Sequence, residues 1–93
     1  VVYTNVSGLK ISNPVTINGV QIGKVAAKTL LPNSGNKVVI TLDIEKQYKL
    51  SDSTVAVFAS TSALGDKEIK LVLGNGTRQL SEGDTLIGTS EAG

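Results

Sequence analysis

The stretch Val15-Thr16-Ile17-Asn18-Gly19-Val20-Gln21-Ile22 decides the fold, because two short alternating runs of β-branched residues face each other across Asn-Gly. A two-residue type I′ turn needs positive φ at both central positions, and Asn followed by Gly meets that need at little steric cost. The reading is a tight β-hairpin turning at Asn18 and Gly19. Beyond it the apolar phase passes from Val20 and Ile22 to Val25 and Ala27, with Gly23 between. One extra residue in a strand would shift the phase in this way, so Gly23 is read as a bulge.

The same period-2 pattern continues outward in both directions. Upstream, Val1-Val2-Tyr3-Thr4 already reads as strand. Downstream, Leu30-Leu31 closes the second hairpin strand, and Pro32 to Asn36 form a polar turn built on a residue without an N–H. From Val38 to Ile44, the residues Val38, Ile40, Leu42 and Ile44 share one face and are assigned to the core. The run Thr54 to Ser60 sets Val55, Val57 and Ala59 against Ala56 and Phe58, so both of its faces are expected to be covered. Lys67 to Leu73 alternates again, with Ile69, Leu71 and Leu73 read as inward. Gly74-Asn75-Gly76-Thr77 turns the chain toward Arg78-Gln79-Leu80, and Ser81-Glu82-Gly83-Asp84, with Gly83 as its turn residue, leads into Thr85-Leu86-Ile87. About seven short strands with short connections predict an all-β closed barrel or sandwich, and no segment has sustained helical periodicity.

Bulk composition agrees with one folded domain. A chain of 93 residues allows one core, and its 40% hydrophobic and 18% charged residues lack the low hydrophobicity and high net charge that keep chains disordered. The net charge of +1 provides no strong field for nucleic acid or anionic lipid. Three aromatic residues, Tyr3, Tyr48 and Phe58, come without a basic cluster, so nucleic-acid stacking has no platform. The longest apolar run, Val55 to Ala59, is far below the roughly 18–20 residues of a spanning helix. With no methionine and a start inside a strand, residues 1–93 are read as a single domain cut from a longer protein, any membrane anchor lying outside it.

Catalytic equipment is missing. There is no histidine to act as a base near neutral pH and no cysteine to act as a nucleophile, which excludes Ser-His and Cys-His chemistry. The acids Asp43, Glu45, Asp52, Asp66, Glu68, Glu82, Asp84 and Glu91 fall on turns or polar faces, where solvation is the ordinary fate. Glu82-Gly83-Asp84 offers two acids, too few for a calcium loop, and zinc would want His or Cys. No catalytic, metal or cofactor residue is assigned.

Four pieces in order then carry a family resemblance: Tyr3-Thr4-Asn5-Val6-Ser7-Gly8-Leu9-Lys10; Asn13-Pro14-Val15-Thr16-Ile17-Asn18-Gly19-Val20-Gln21-Ile22-Gly23-Lys24-Val25; Ala63-Leu64-Gly65-Asp66-Lys67; and Leu80-Ser81-Glu82-Gly83-Asp84-Thr85-Leu86. Each is weak alone, but in this order over nearly the whole chain they resemble the MCE (mammalian cell entry) domain of bacterial lipid-transport proteins. The resemblance implies a seven-stranded β-barrel that assembles into a hexameric ring around an apolar channel. It also implies phospholipid or other hydrophobic cargo, an ABC-type ATPase and permease as partners, and a periplasmic domain held to the inner membrane by a helix preceding the fragment. By the same resemblance, Ala63, Leu64 and Gly65 form the pore loop that contacts lipid, with Ala63 where the family usually has the first of two leucines. Read from the residues alone, Leu64 would instead cap the barrel core.

Two other classes share this fold prediction. A biotinyl- or lipoyl-type carrier would need a lysine at an exposed hairpin tip; Lys37 and Lys67 lie near turns but lack the flanking residues such modules present. A structural extracellular β module would need no site at all.

Overall fold

A computed structural model describes residues 1–60 and 66–90. Among the described residues there are seven strands: β1 (Val2–Tyr3), β2 (Pro14–Ile17), β3 (Val20–Leu31), β4 (Lys37–Ile44), β5 (Val55–Ser60), β6 (Lys67–Val72) and β7 (Ile87–Ser90). They form one sheet in the order β1-β4-β3-β2-β6-β5-β7. Two adjacent pairs, β2 with β6 and β5 with β7, run parallel; the other pairs are antiparallel.

The hairpin forms because its turn residues accept the required backbone. Asn18 has φ 50° and Gly19 φ 85°, and Ile17 pairs with Val20 across them. Val15 pairs with Gly23 and Thr16 with Gln21, which leaves Ile22 as the extra residue of a bulge beside Gly23. Gly23 lies so close to β4 that a Cβ there would stand 2.2 Å from the Asp43 carbonyl oxygen. A second irregularity leaves Ala26 unpaired between Val25–Leu42 and Ala27–Thr41. Bulges increase local bend and twist. Two in one strand let the 12-residue β3 curl around the core.

The curled sheet brings its two outer strands together, so the barrel is nearly closed. Gly88 of β7 faces β1 at a spacing that leaves no room for a side chain, since a Cβ there would come within 3.1 Å of both the Val2 carbonyl oxygen and Tyr3 Cε1. The interior is filled by Leu9, Val15, Ile22, Val25, Ile40, Ala56, Ile69 and Leu71, all buried. Burial of this kind contributes about 25 cal/mol per Å² of apolar surface, which makes the core the main source of stability.

Three details differ from the sequence reading. Leu73 is 49% exposed instead of inward, because β6 ends at Val72 and the chain then turns onto Ser53, whose hydroxyl accepts the Gly76 N–H at 2.8 Å. Arg78-Gln79-Leu80 contributes one isolated bridge, Ser51 to Gln79, and no strand. The last strand begins at Ile87, so Thr85 and Leu86 belong to the connection before it. Gly83, with φ 90°, sits in the turn where Asp84 donates its N–H to Ser81 O at 3.1 Å and Asp84 Oδ2 accepts from Ser81 N at 2.7 Å.

Candidate functional site

The strand directions fix which parts of the chain share an end of the barrel. β5 ends at Ser60 and β6 begins at Lys67, and these two residues are paired, so both strand ends lie at one rim. Because β2 is parallel to β6 and β7 parallel to β5, Pro14 and Ser90 belong to that rim as well. The Asn18-Gly19 turn lies at the opposite rim. Ala63, Leu64 and Gly65 fall outside the described residues; their anchoring strands are described.

The anchors are well tied. Lys67 Nζ donates to Ser60 Oγ at 2.9 Å and stands 5.8 Å from the centre of the Phe58 ring, within the range of a cation–π contact. Phe58 in turn meets Tyr3 edge to face, with ring centres 6.0 Å apart. Next along β6, Glu68 Oε1 accepts a 2.7 Å hydrogen bond from Thr16 Oγ1 on β2. On the adjacent segment, Lys28 Nζ donates to Leu9 O at 2.7 Å, fixing the stretch that covers the core with Leu9. Sequence reasoning did not find this Phe58–Lys67–Ser60 cluster. The available signal was that Phe58 lies two residues before the end of one strand while Lys67 starts the next.

Burial raises the pKa of the Tyr3 phenol from 10.0 to about 12, and its hydroxyl is used as a donor in a structural bond, Tyr3 Oη to Ala56 O at 2.7 Å. Among the described residues, no group of three or more acidic, His or Cys side chains could hold a metal. No helix among them is long and apolar enough to cross a membrane. Lys67 opens β6 within the cluster above, and Lys37 is exposed at the first residue of β4.

A groove of about 590 Å³ lies elsewhere, along the seam between β4 and the segment before β7. Its walls include Leu42, Ile44, Tyr48, Leu50, Leu80 and Leu86.

The family model described as MlaD protein matches residues 1–74. The chain belongs to the MlaD family. Over 96 aligned residues it is 38% identical to the "Intermembrane phospholipid transport system binding protein MlaD" of two Escherichia coli strains, an alignment that takes in 97% of the chain. It spans 52% of the length of those curated relatives. In fold it matches a chain of the Acinetobacter MlaFEDB complex in its ATP-bound Vtrans1 conformation, with a TM-score of 0.85 and 21% identity over 99% of this chain and 73% of the other.

Proposed function

We propose that this MlaD-family domain is a non-enzymatic substrate-binding and channel subunit of a bacterial envelope transport system for phospholipid or a similar hydrophobic molecule. Several copies, six by family resemblance, form a ring whose apolar pore is lined by Ala63, Leu64 and Gly65. An ABC-type ATPase and permease supply the energy, and the domain stands in the periplasm, held to the inner membrane by a segment outside the fragment. The observation that carries this reading is the 38% identity to a phospholipid-transport binding protein across 97% of the chain. The pairing of Ser60 with Lys67, the strand ends that flank Leu64 in sequence, supports a loop role for Leu64.

The test places a photo-crosslinking amino acid at Leu64 in the full-length membrane protein and analyses the adducts by mass spectrometry. Phospholipid adducts at Leu64, absent when the same group replaces exposed Val20 at the opposite rim, are the expected result. Sedimentation as a monomer, together with no lipid at Leu64, overturns the reading.

A further inference from the structure

Lys67 stands where a strand ordinarily carries an apolar residue. On β6 it shares a face with Ile69 and Leu71, which fill the core, and its partner Ser60 shares a face with Phe58 and Ala56. The side chain therefore lies over the mouth of the barrel. Its stem runs along Gly8, where a Cβ would stand 3.2 Å from Lys67 Cε, next to the Leu9 that covers the core. The ammonium rests 5.8 Å from the centre of the Phe58 ring and donates to Ser60 Oγ at 2.9 Å. A second lysine, Lys28, shares the inner face through its pairing with Ile40 and reaches the same covering segment at Leu9 O.

The hydroxyl and the ring that hold the Lys67 ammonium are both neutral. Glu68 lies on the opposite face, where its carboxylate accepts from Thr16, and Asp66 is exposed. Among the described residues no carboxylate pairs with Lys67. An ammonium has three donors and the Ser60 hydroxyl uses one, so charge and donors are left for an acceptor arriving from the rim. Holding the side chain in place beforehand removes part of the entropy that a flexible lysine loses on binding. With a net charge of +1 the chain has no general attraction for anions, and selection by charge falls to a local group of this kind.

We propose that Lys67 is a specificity-determining residue that holds the phosphate of the cargo headgroup while the acyl chains pass Leu64, so that the domain selects phosphate-bearing amphiphiles over neutral ones. The proposal rests on the channel reading above. Its ligand chemistry is a phosphodiester monoanion, which a lysine recognises as a point charge. Ser60 and Phe58 are the positioning residues for that charge.

The experiment uses the full-length membrane protein in neutral detergent micelles that carry equal amounts of phosphatidylglycerol and diacylglycerol. A photo-crosslinking amino acid at Leu64 captures lipid, and mass spectrometry gives the ratio of phosphatidylglycerol to diacylglycerol adducts. In Lys67→Met, which keeps an apolar stem along Gly8 without the charge, the ratio is expected to fall about ten-fold. Lys67→Arg keeps the charge and restores the ratio. Ser60→Ala leaves the ammonium but removes its anchor, and lowers the ratio about three-fold. An unchanged ratio in Lys67→Met, with lipid still captured, overturns the proposal and leaves the channel reading intact, whether or not the variant melts earlier. No lipid adduct in the native protein overturns both. A native ratio that collapses when inorganic phosphate is added in excess assigns Lys67 to free phosphate and overturns its selection of lipid.

Discussion

The Tyr3 hydroxyl donates a 2.7 Å hydrogen bond to the carbonyl oxygen of Ala56, a residue 53 positions away in sequence. The two belong to strands that are not neighbours in the sheet, since β7 lies between β5 and the closing edge. Gly88, directly paired with Ala56, makes the crossing possible because it has no side chain where the Tyr3 ring passes. A tyrosine on a two-residue strand thus ties β1 to β5 across the closing strand β7.

Tyr3→Phe keeps the ring against Phe58 but removes the donor, leaving the Ala56 carbonyl without that partner. A lost bond to a buried acceptor costs about 1–2 kcal/mol. Urea denaturation should show this loss as a lower midpoint with an unchanged slope.

The same residue sets an alkaline limit. Burial favours the neutral phenol, so the folded value of about 12 lies above the ordinary 10.0. Between those values the folded state binds more protons than the unfolded one. The contribution is fully present below about pH 10 and is lost as pH rises through about 12. Stability curves of the native chain and of Tyr3→Phe should therefore converge over that window and run parallel below it.

Two glycine substitutions separate backbone conformation from close packing. Gly19→Ala places a side chain at φ 85° with nothing nearby, a strain of about 1 kcal/mol. Gly23→Ala drives a Cβ into the β4 backbone at the Asp43 carbonyl oxygen and Ile44 Cα, which cannot swing aside as a side-chain end can. About 3 kcal/mol is expected there. Thermal melts of the two variants should rank them in that order, and the reverse order would mean that the β3 bulge is pliable.

What was legible in the sequence was local. Asn18-Gly19 announces its own turn, and the alternation from Val38 to Ile44 names its inner face, because both signals are written within a few neighbouring residues. The parallel pairing of Val15 with Ile69 and of Val55 with Ile87 carries no such mark, since it depends on where distant strands meet once the sheet curls. The Tyr3–Ala56 bond was invisible for the same reason. Leu73 was misplaced because alternation alone does not tell where a strand stops. The role given to Ala63, Leu64 and Gly65 came from resemblance only: a pore belongs to several copies together, and one chain's periodicity does not encode it.

Leu64→Asn separates a pore residue from a core residue. A leucine packed in the barrel interior would cost about 2–5 kcal/mol when its apolar volume is lost, and a polar amide in its place would add an unsatisfied group. A leucine facing a passage leaves melting within about 0.5 kcal/mol of the native chain, as exposed positions do. Lipid transfer by the complete complex, by contrast, should fall about ten-fold, equivalent to about 1.4 kcal/mol of lost apolar contact with the cargo, the scale expected for nearly two buried methylene groups. Circular dichroism melts and a vesicle-to-vesicle lipid-transfer assay on the same preparation measure both. Unchanged melting with reduced transfer places Leu64 on the path of the cargo, whereas a large drop in melting temperature would return it to the core.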